Sequence, residues 1–186
     1  MGKLILITGG ARSGKSIFAE KKAGELGEKI LYIATSIPFD DEMKDRIRKH
    51  KEQRPAYWDT LETYKELDTE IKRTYNGHQG ILLDCITVMT SNILFEGEIT
   101  DWDTCTMDEI NMLEMHVKSE IDKLISITTH MDVPVIAVTN ELSMGIVPEN
   151  RLARIFRDIA GRANQQLAAV AEEVYLVVSG IPIKIK

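Results

Sequence analysis

The sequence predicts an α/β fold with a mostly parallel sheet flanked by helices, and three observations carry that prediction. Short apolar runs rich in Ile, Leu and Val recur along the 186 residues with little polar alternation. Strands read this way when both faces of their sheet are covered. Between the runs lie segments with apolar residues at three- and four-residue steps, the pattern of helices packed on a sheet. The first run opens directly into GGARSGKS at Gly9–Ser16, a glycine-rich turn between strand and helix that marks the P-loop NTPase version of this architecture.

Strands are expected at Leu4–Thr8, Lys29–Ala34, Gly80–Asp84, Val133–Thr139 and Val174–Val178. A helix over Ser16–Leu26 follows the first strand, and one over Asp40–Lys51 follows the second. The stretch Phe95–Thr104, with its acids and Trp102, reads as a surface loop. Thr106–Thr128 places Ile110, Leu113, Val117, Ile121 and Leu124 on one stripe and predicts a long helix. Pro148–Ala171 does the same with Leu152, Ile155, Ile159, Ala163 and Leu167, and Pro148 suits a first helical turn, where a missing N–H is no loss. The ending VYLVVSGIPIKIK breaks the alternation. Two β-rich runs around Ser179-Gly180 predict a terminal antiparallel hairpin, with Pro182 on an edge strand. No repeat or linker interrupts the chain, so residues 1–186 are expected to form one nucleotide-binding domain.

Acidic residues outnumber basic ones, 29 to 23, for a net charge of −6. That balance argues against broad binding to nucleic acid or anionic membrane, and an anionic small molecule would need a local basic pocket. The run Leu4–Ile7 is too short for a signal peptide, and no segment approaches the roughly 18 apolar residues that cross a bilayer. Cys85 and Cys105 suggest neither a metal site nor a disulfide framework, and free thiols fit a reducing compartment. A soluble cytoplasmic protein is expected.

Gly9-x4-Gly14-Lys15-Ser16 has the full Walker A spacing. Its glycines let backbone N–H groups of Gly9, Gly10, Ala11, Arg12, Ser13 and Gly14 turn toward phosphate oxygens at a helix N-terminus. Lys15 can reach the β- and γ-phosphates, and the Ser16 hydroxyl can ligate Mg²⁺. Asp84 ends a buried strand, where a carboxylate can hold the hydration shell of Mg²⁺ or cap the segment that follows. His50 sits among Arg46, Lys49, Lys51 and Arg54. Two readings stand for it: a residue on a solvated amphipathic helix, or an imidazole kept neutral by surrounding cations and able to attack phosphorus. Arg54 offers a guanidinium for phosphate charge. On these residues alone, a small-molecule kinase and a nucleotide-dependent switch are both open.

Several segments together resemble the bifunctional adenosylcobinamide kinase / adenosylcobinamide-phosphate guanylyltransferase family of cobalamin biosynthesis. They are ITGGARSGKS at Ile7–Ser16, LYIATS at Leu31–Ser36, DDEMKDRIRKHKEQRPAYW at Asp40–Trp58 and LLDCIT at Leu82–Thr87. The most specific is VTNELSMGIVPENRLARIFRDIAGRANQQLA in the C-terminal third. The resemblance implies two reactions. ATP or GTP phosphorylates the aminopropanol hydroxyl of adenosylcobinamide, and GTP then donates GMP to the new phosphate through a guanylyl-histidine, here His50. It also implies nucleotide contacts from Thr35, Ser36, Lys51, Glu52, Gln53, Arg54, Glu62 and Asp84, and assembly as a homo-oligomer, a trimer. Where the family usually has glycine before MGIVPENR, this chain has Ser143. If that glycine serves a positive φ, the loop would shift. Arg151, Arg154, Arg157 and Arg162 fit either a cobinamide-phosphate site or the charged outer face of a helix.

Overall fold

The structure, a computed structural model, describes residues 2–37, 45, 48, 54–97, 99 and 101–186. Among these residues one sheet of seven strands runs β3-β2-β4-β5-β1-β6-β7. The strands are β1 (Leu4–Gly9), β2 (Ile30–Ala34), β3 (Asp59–Glu62), β4 (Gly80–Asp84), β5 (Val135–Val138), β6 (Glu173–Val178) and β7 (Ile181–Lys184). All neighbours pair in parallel except β6 and β7. Their hairpin turns at Ser179 and Gly180, both at positive φ (52° and 81°). Two successive left-handed residues make the tight turn whose twist matches a hairpin. Pro182 lies in β7 at the sheet edge, as expected.

The helices are α1 (Lys15–Gly24), α2 (Leu67–Thr74), α3 (Ile86–Glu96), α4 (Met107–His130) and α5 (Arg151–Val170). They divide between the two faces of the sheet. Alternate residues of a strand point to opposite faces, so Leu31, Ile33, Leu83 and Ala137 pack with α2, α3, α4 and α5 in the larger core. Tyr32, Leu82, Ile136 and Val138 point the other way and pack with Ala19 and Ala23 of α1 and with Trp58. The long helix α4 starts at a capping box. Thr106 accepts from the Glu109 N–H, and the Glu109 carboxylate accepts from Thr106 N at 2.7 Å.

Three elements are additional to those expected, and two expectations change. β3, α2 and α3 were not predicted. β3 is four residues long and buries only Leu61, too little for a period to register. α3 reads ITVMTSNILFE, whose β-branched start suits a strand as well as a helix. Phe95–Thr104 is not simply a surface loop: Phe95 and Glu96 close α3, while Ile99 and Trp102 pack on the larger core. Pro148 precedes the helix it was expected to open, because Asn150 caps α5 by accepting from Ala153 N at 2.8 Å. Of the helix expected over 40–51, only Asp45 and Arg48 are described, and both are helical.

Candidate nucleotide site

Gly9 closes β1 and Lys15 opens α1, so the phosphate loop occupies the turn between a buried strand and a helix N-terminus. Gly14 has φ of 91° and Arg12 of 60°, which folds the loop back on itself so that Ser13 N donates to Gly10 O at 3.2 Å. Lys15 is buried, with Nζ 3.1 Å from Gly10 O. Its ammonium therefore lies over the loop that would hold the phosphates. Two glycines are sterically required here. A Cβ on Gly9 would lie 2.5 Å from Val177 O and 2.6 Å from Ser13 Oγ. A Cβ on Gly14 would lie 3.1 Å from Gly180 Cα. Val177 and Gly180 belong to the terminal hairpin, and Gly180 N donates to Ser13 O at 2.8 Å. The hairpin braces the loop.

Adjacent strands bring the remaining candidates to the same edge. Ala34 is in register with Glu62 on one side and Asp84 on the other. Glu62 and Asp84 share a level and the α1 face, with one strand between them. The phenol of Tyr32 on that face donates to Asp84 Oδ2 at 3.3 Å. The Arg54 guanidinium lies 3.7 Å from the centre of the Tyr32 ring. Arg54, Trp58, Thr60 and Glu62 line a groove of about 340 Å³, the size of a small-ligand cleft. Thr35 is buried and serves the frame: its hydroxyl donates to Cys85 O at 2.9 Å and accepts from Cys85 N at 2.8 Å. Ser36 follows it at the same edge, half-buried. His50, Lys51, Glu52 and Gln53 lie outside the described residues.

The electrostatics centre on Glu20, one turn beyond Ser16 on α1. Burial first, and then the neighbouring Asp84 charge, push its carboxyl up to about 7, against the pull of Arg54. Its Oε1 is buried with no hydrogen-bond partner among the described residues. Burial and Asp84 also raise the Tyr32 phenol well above its usual range and push the Cys85 thiol up to about 12. Cys85 is therefore a structural thiol with no thiolate character at neutral pH. Glu20, Tyr32 and Trp58 were not singled out from the sequence. Only Glu20 carried a usable signal, since i,i+4 spacing puts it on the Ser16 face of a helix.

Two of the C-terminal arginines hold backbone, and a third holds a carboxylate. Arg151 donates to Trp102 O, Asp103 O and Cys105 O at 2.7–2.9 Å. Arg154 donates to Pro148 O at 2.9 Å and to Glu149 O, while Arg162 pairs with Glu114. Ser143 is not among the residues at positive φ. Its N–H donates to Glu141 Oε1 at 2.8 Å, so serine in place of glycine needs no change of backbone. Asn140, Thr139, Thr87 and Asn164 tie the end of β5 to α3 and α5 through buried and part-buried hydrogen bonds of 2.6–3.1 Å.

Comparison with known proteins shows the family of the chain. The chain is 52% identical to the bifunctional adenosylcobalamin biosynthesis protein CobU of Salmonella typhimurium, over 98% of this chain and 99% of that protein. It is 49% identical to the Escherichia coli protein of the same name, with the same coverage. It is 35% identical to the bifunctional adenosylcobalamin biosynthesis protein CobP of Pseudomonas aeruginosa, over 97% and 96%. The crystal structure of the RadB recombinase superposes with a TM-score of 0.49 at 15% identity, covering 94% of this chain and 74% of that one. Residues 5–185 match the family described as cobinamide kinase / cobinamide phosphate guanyltransferase, and the chain belongs to that family.

Proposed function

We propose that this chain carries out both reactions of its family, phosphorylating adenosylcobinamide and then transferring GMP from GTP to the phosphate. The observation that carries this reading is the braced phosphate loop with Lys15 folded over it, in a chain related to bifunctional proteins along its whole length. In the first reaction the substrate hydroxyl oxygen attacks the γ-phosphorus of ATP or GTP. The new O–P bond replaces the bond to the β-phosphate oxygen, the nucleoside diphosphate leaves and the hydroxyl proton passes to solvent. Backbone N–H groups of Gly9–Ser16 and the Lys15 ammonium hold the charge that moves onto the leaving oxygen.

In the second reaction a His50 nitrogen attacks the α-phosphorus of GTP. An N–P bond forms, the bond to the β-phosphate breaks and pyrophosphate leaves. A phosphate oxygen of adenosylcobinamide phosphate then displaces the imidazole, giving adenosylcobinamide-GDP. Arg54 and Lys51 would supply positive charge beside the triphosphate, with Thr35, Ser36, Glu52, Gln53 and Glu62 as further nucleotide contacts. Ser16 and Asp84 offer one hydroxyl and one carboxylate, a donor set that suits Mg²⁺, which keeps waters and takes phosphate oxygens for its other positions. When bound, Mg²⁺ supplies charge neutralisation for the phosphates. Ser16 and Asp84 orient that end of the nucleotide.

Residues 1–186 are read as one nucleotide-binding domain acting in the cytoplasm. We place a homotrimer as the working assembly, the subunit number that the family resemblance implies, to be checked by sedimentation velocity; exposed Ile181, Ile183 and Ile185 on the hairpin offer an apolar surface for self-association. The enzymology is tested by following diphosphate and pyrophosphate release in one preparation. Lys15→Ala should lower both at least about a hundredfold, as removal of a preorganised donor does. His50→Ala should abolish only pyrophosphate release. Unchanged pyrophosphate release in His50→Ala would contradict the covalent route.

A further inference from the structure

The loop between β5 and α5 holds apolar side chains in water while its backbone is fastened at both ends. Glu141 N donates to Gly9 O at 3.1 Å, which ties the start of this loop to the first residue of the phosphate loop. The Glu141 carboxylate then accepts from Ser143 N at 2.8 Å and from the Ser143 hydroxyl. At the other end Arg154 of α5 donates to Pro148 O at 2.9 Å and to Glu149 O, and Asn150 caps the helix. Between these anchors Met144, Ile146 and Val147 are 78%, 96% and 61% exposed. Backbone held in this way keeps the three side chains outward. An exposed apolar surface flanked by polar residues marks a place where a ligand or partner sits.

Position and charge choose the occupant. Phosphoryl transfer needs the acceptor hydroxyl at the γ-phosphorus, beside the phosphate loop, and the Glu141–Gly9 bond joins the apolar surface to that loop. The groove along Arg54 and Glu62 is about 340 Å³, at the small end for a ligand cleft. A corrin macrocycle with its side chains is too bulky to enter it and has to rest on surface nearby. Its methyl-studded ring is apolar and its cobalt centre leaves adenosylcobinamide with net positive charge. The acids Glu141 and Glu149 flank the three apolar residues in the loop, which complements that charge. We propose that Met144, Ile146 and Val147 are specificity-determining residues for the acceptor, an apolar rest for the corrin ring that sets its aminopropanol hydroxyl beside the phosphate loop. The proposal rests on the adenosylcobinamide kinase reading given above.

The test makes two measurements on the full-length protein: adenosylcobinamide binding by equilibrium dialysis, read from the visible absorbance of the corrinoid, and its steady-state phosphorylation by ATP. Ile146→Ser combined with Val147→Ser should weaken corrinoid binding and raise the acceptor KM about tenfold, with the nucleotide KM within about twofold of wild type, the pattern of lost acceptor binding. Ile146→Val combined with Val147→Ile keeps the apolar surface and should restore corrinoid binding to within about threefold of wild type. Should the serine variant fail to fold, Val147→Thr, nearly isosteric, carries the test and should weaken corrinoid binding about threefold. Unchanged corrinoid binding in the serine and threonine variants would overturn the proposal. An equal loss of nucleotide affinity would do the same, since it marks a purely structural loop. A lowered sedimentation coefficient would give the surface to a second copy of the chain and overturn it too. Wild-type protein that phosphorylates no adenosylcobinamide would overturn the kinase reading and the apolar rest with it.

Discussion

Glu20 shows how a single carboxyl group records its surroundings. Its folded pKa of about 7 lies above the usual 4.5 because burial and Asp84 both oppose its charge. Between those two pH values the native protein holds a proton that the unfolded chain has released, so stability falls as pH rises through that window. In nucleotide-free protein, once the shift is discounted for solvent screening of this partly exposed carboxyl, wild type should lose about 1–2 kcal/mol relative to Glu20→Gln between pH 5 and pH 8. Urea denaturation at each pH measures this, and a difference independent of pH would contradict it. Gly9 and Gly10 make a second contrast at this scale. Gly9→Ala drives a methyl into Val177 O and should cost about 1–3 kcal/mol in thermal unfolding. Gly10→Ala meets nothing within 4 Å, and its stability should change by less than about 0.5 kcal/mol.

Among the elements, those with a long or strongly marked pattern were legible in the sequence. The strands ending at Gly9 and Asp84, helix α4 and the hairpin around Ser179-Gly180 stand close to where composition and spacing put them. β3 and α3 were not, since a four-residue edge strand carries no period and a β-branched helix start imitates a strand. The site divides in the same way. Walker A spacing is local, so Lys15 and Ser16 could be read directly. The stacking of Arg54 on Tyr32 and the seat of Gly180 against Ser13 join residues 22 or more apart in sequence, and no local pattern announces them. One element-level prediction separates frame from function. Thr106→Ala breaks the capping box of α4 and should cost about 1 kcal/mol of stability. Nucleotide affinity should not change, because α4 packs on the face opposite the phosphate loop. A loss of affinity by equilibrium dialysis would show that the two faces are coupled.

Across the whole molecule, the sheet order sets the division of labour. β1 lies between β5 and β6, and the chain leaves it for β2 on the far side of β5 and β4. Ligand sites in open α/β sheets form at the carboxyl ends of strands near such a reversal, and the phosphate loop stands there. The four helices of one face build the larger core. The opposite face, with α1 and Trp58, is left to shape the groove along Arg54 and Glu62. Membership of a two-reaction family asks more of this edge than a phosphate loop alone, because a second acceptor must reach the α-phosphorus. The most direct test incubates the full chain with α-labelled GTP and Mg²⁺, digests it at alkaline pH and maps the labelled peptide. Label on His50, discharged as labelled adenosylcobinamide-GDP when adenosylcobinamide phosphate is added, is the expected result. Label on another residue, or product formed by His50→Ala at the wild-type rate, would contradict it.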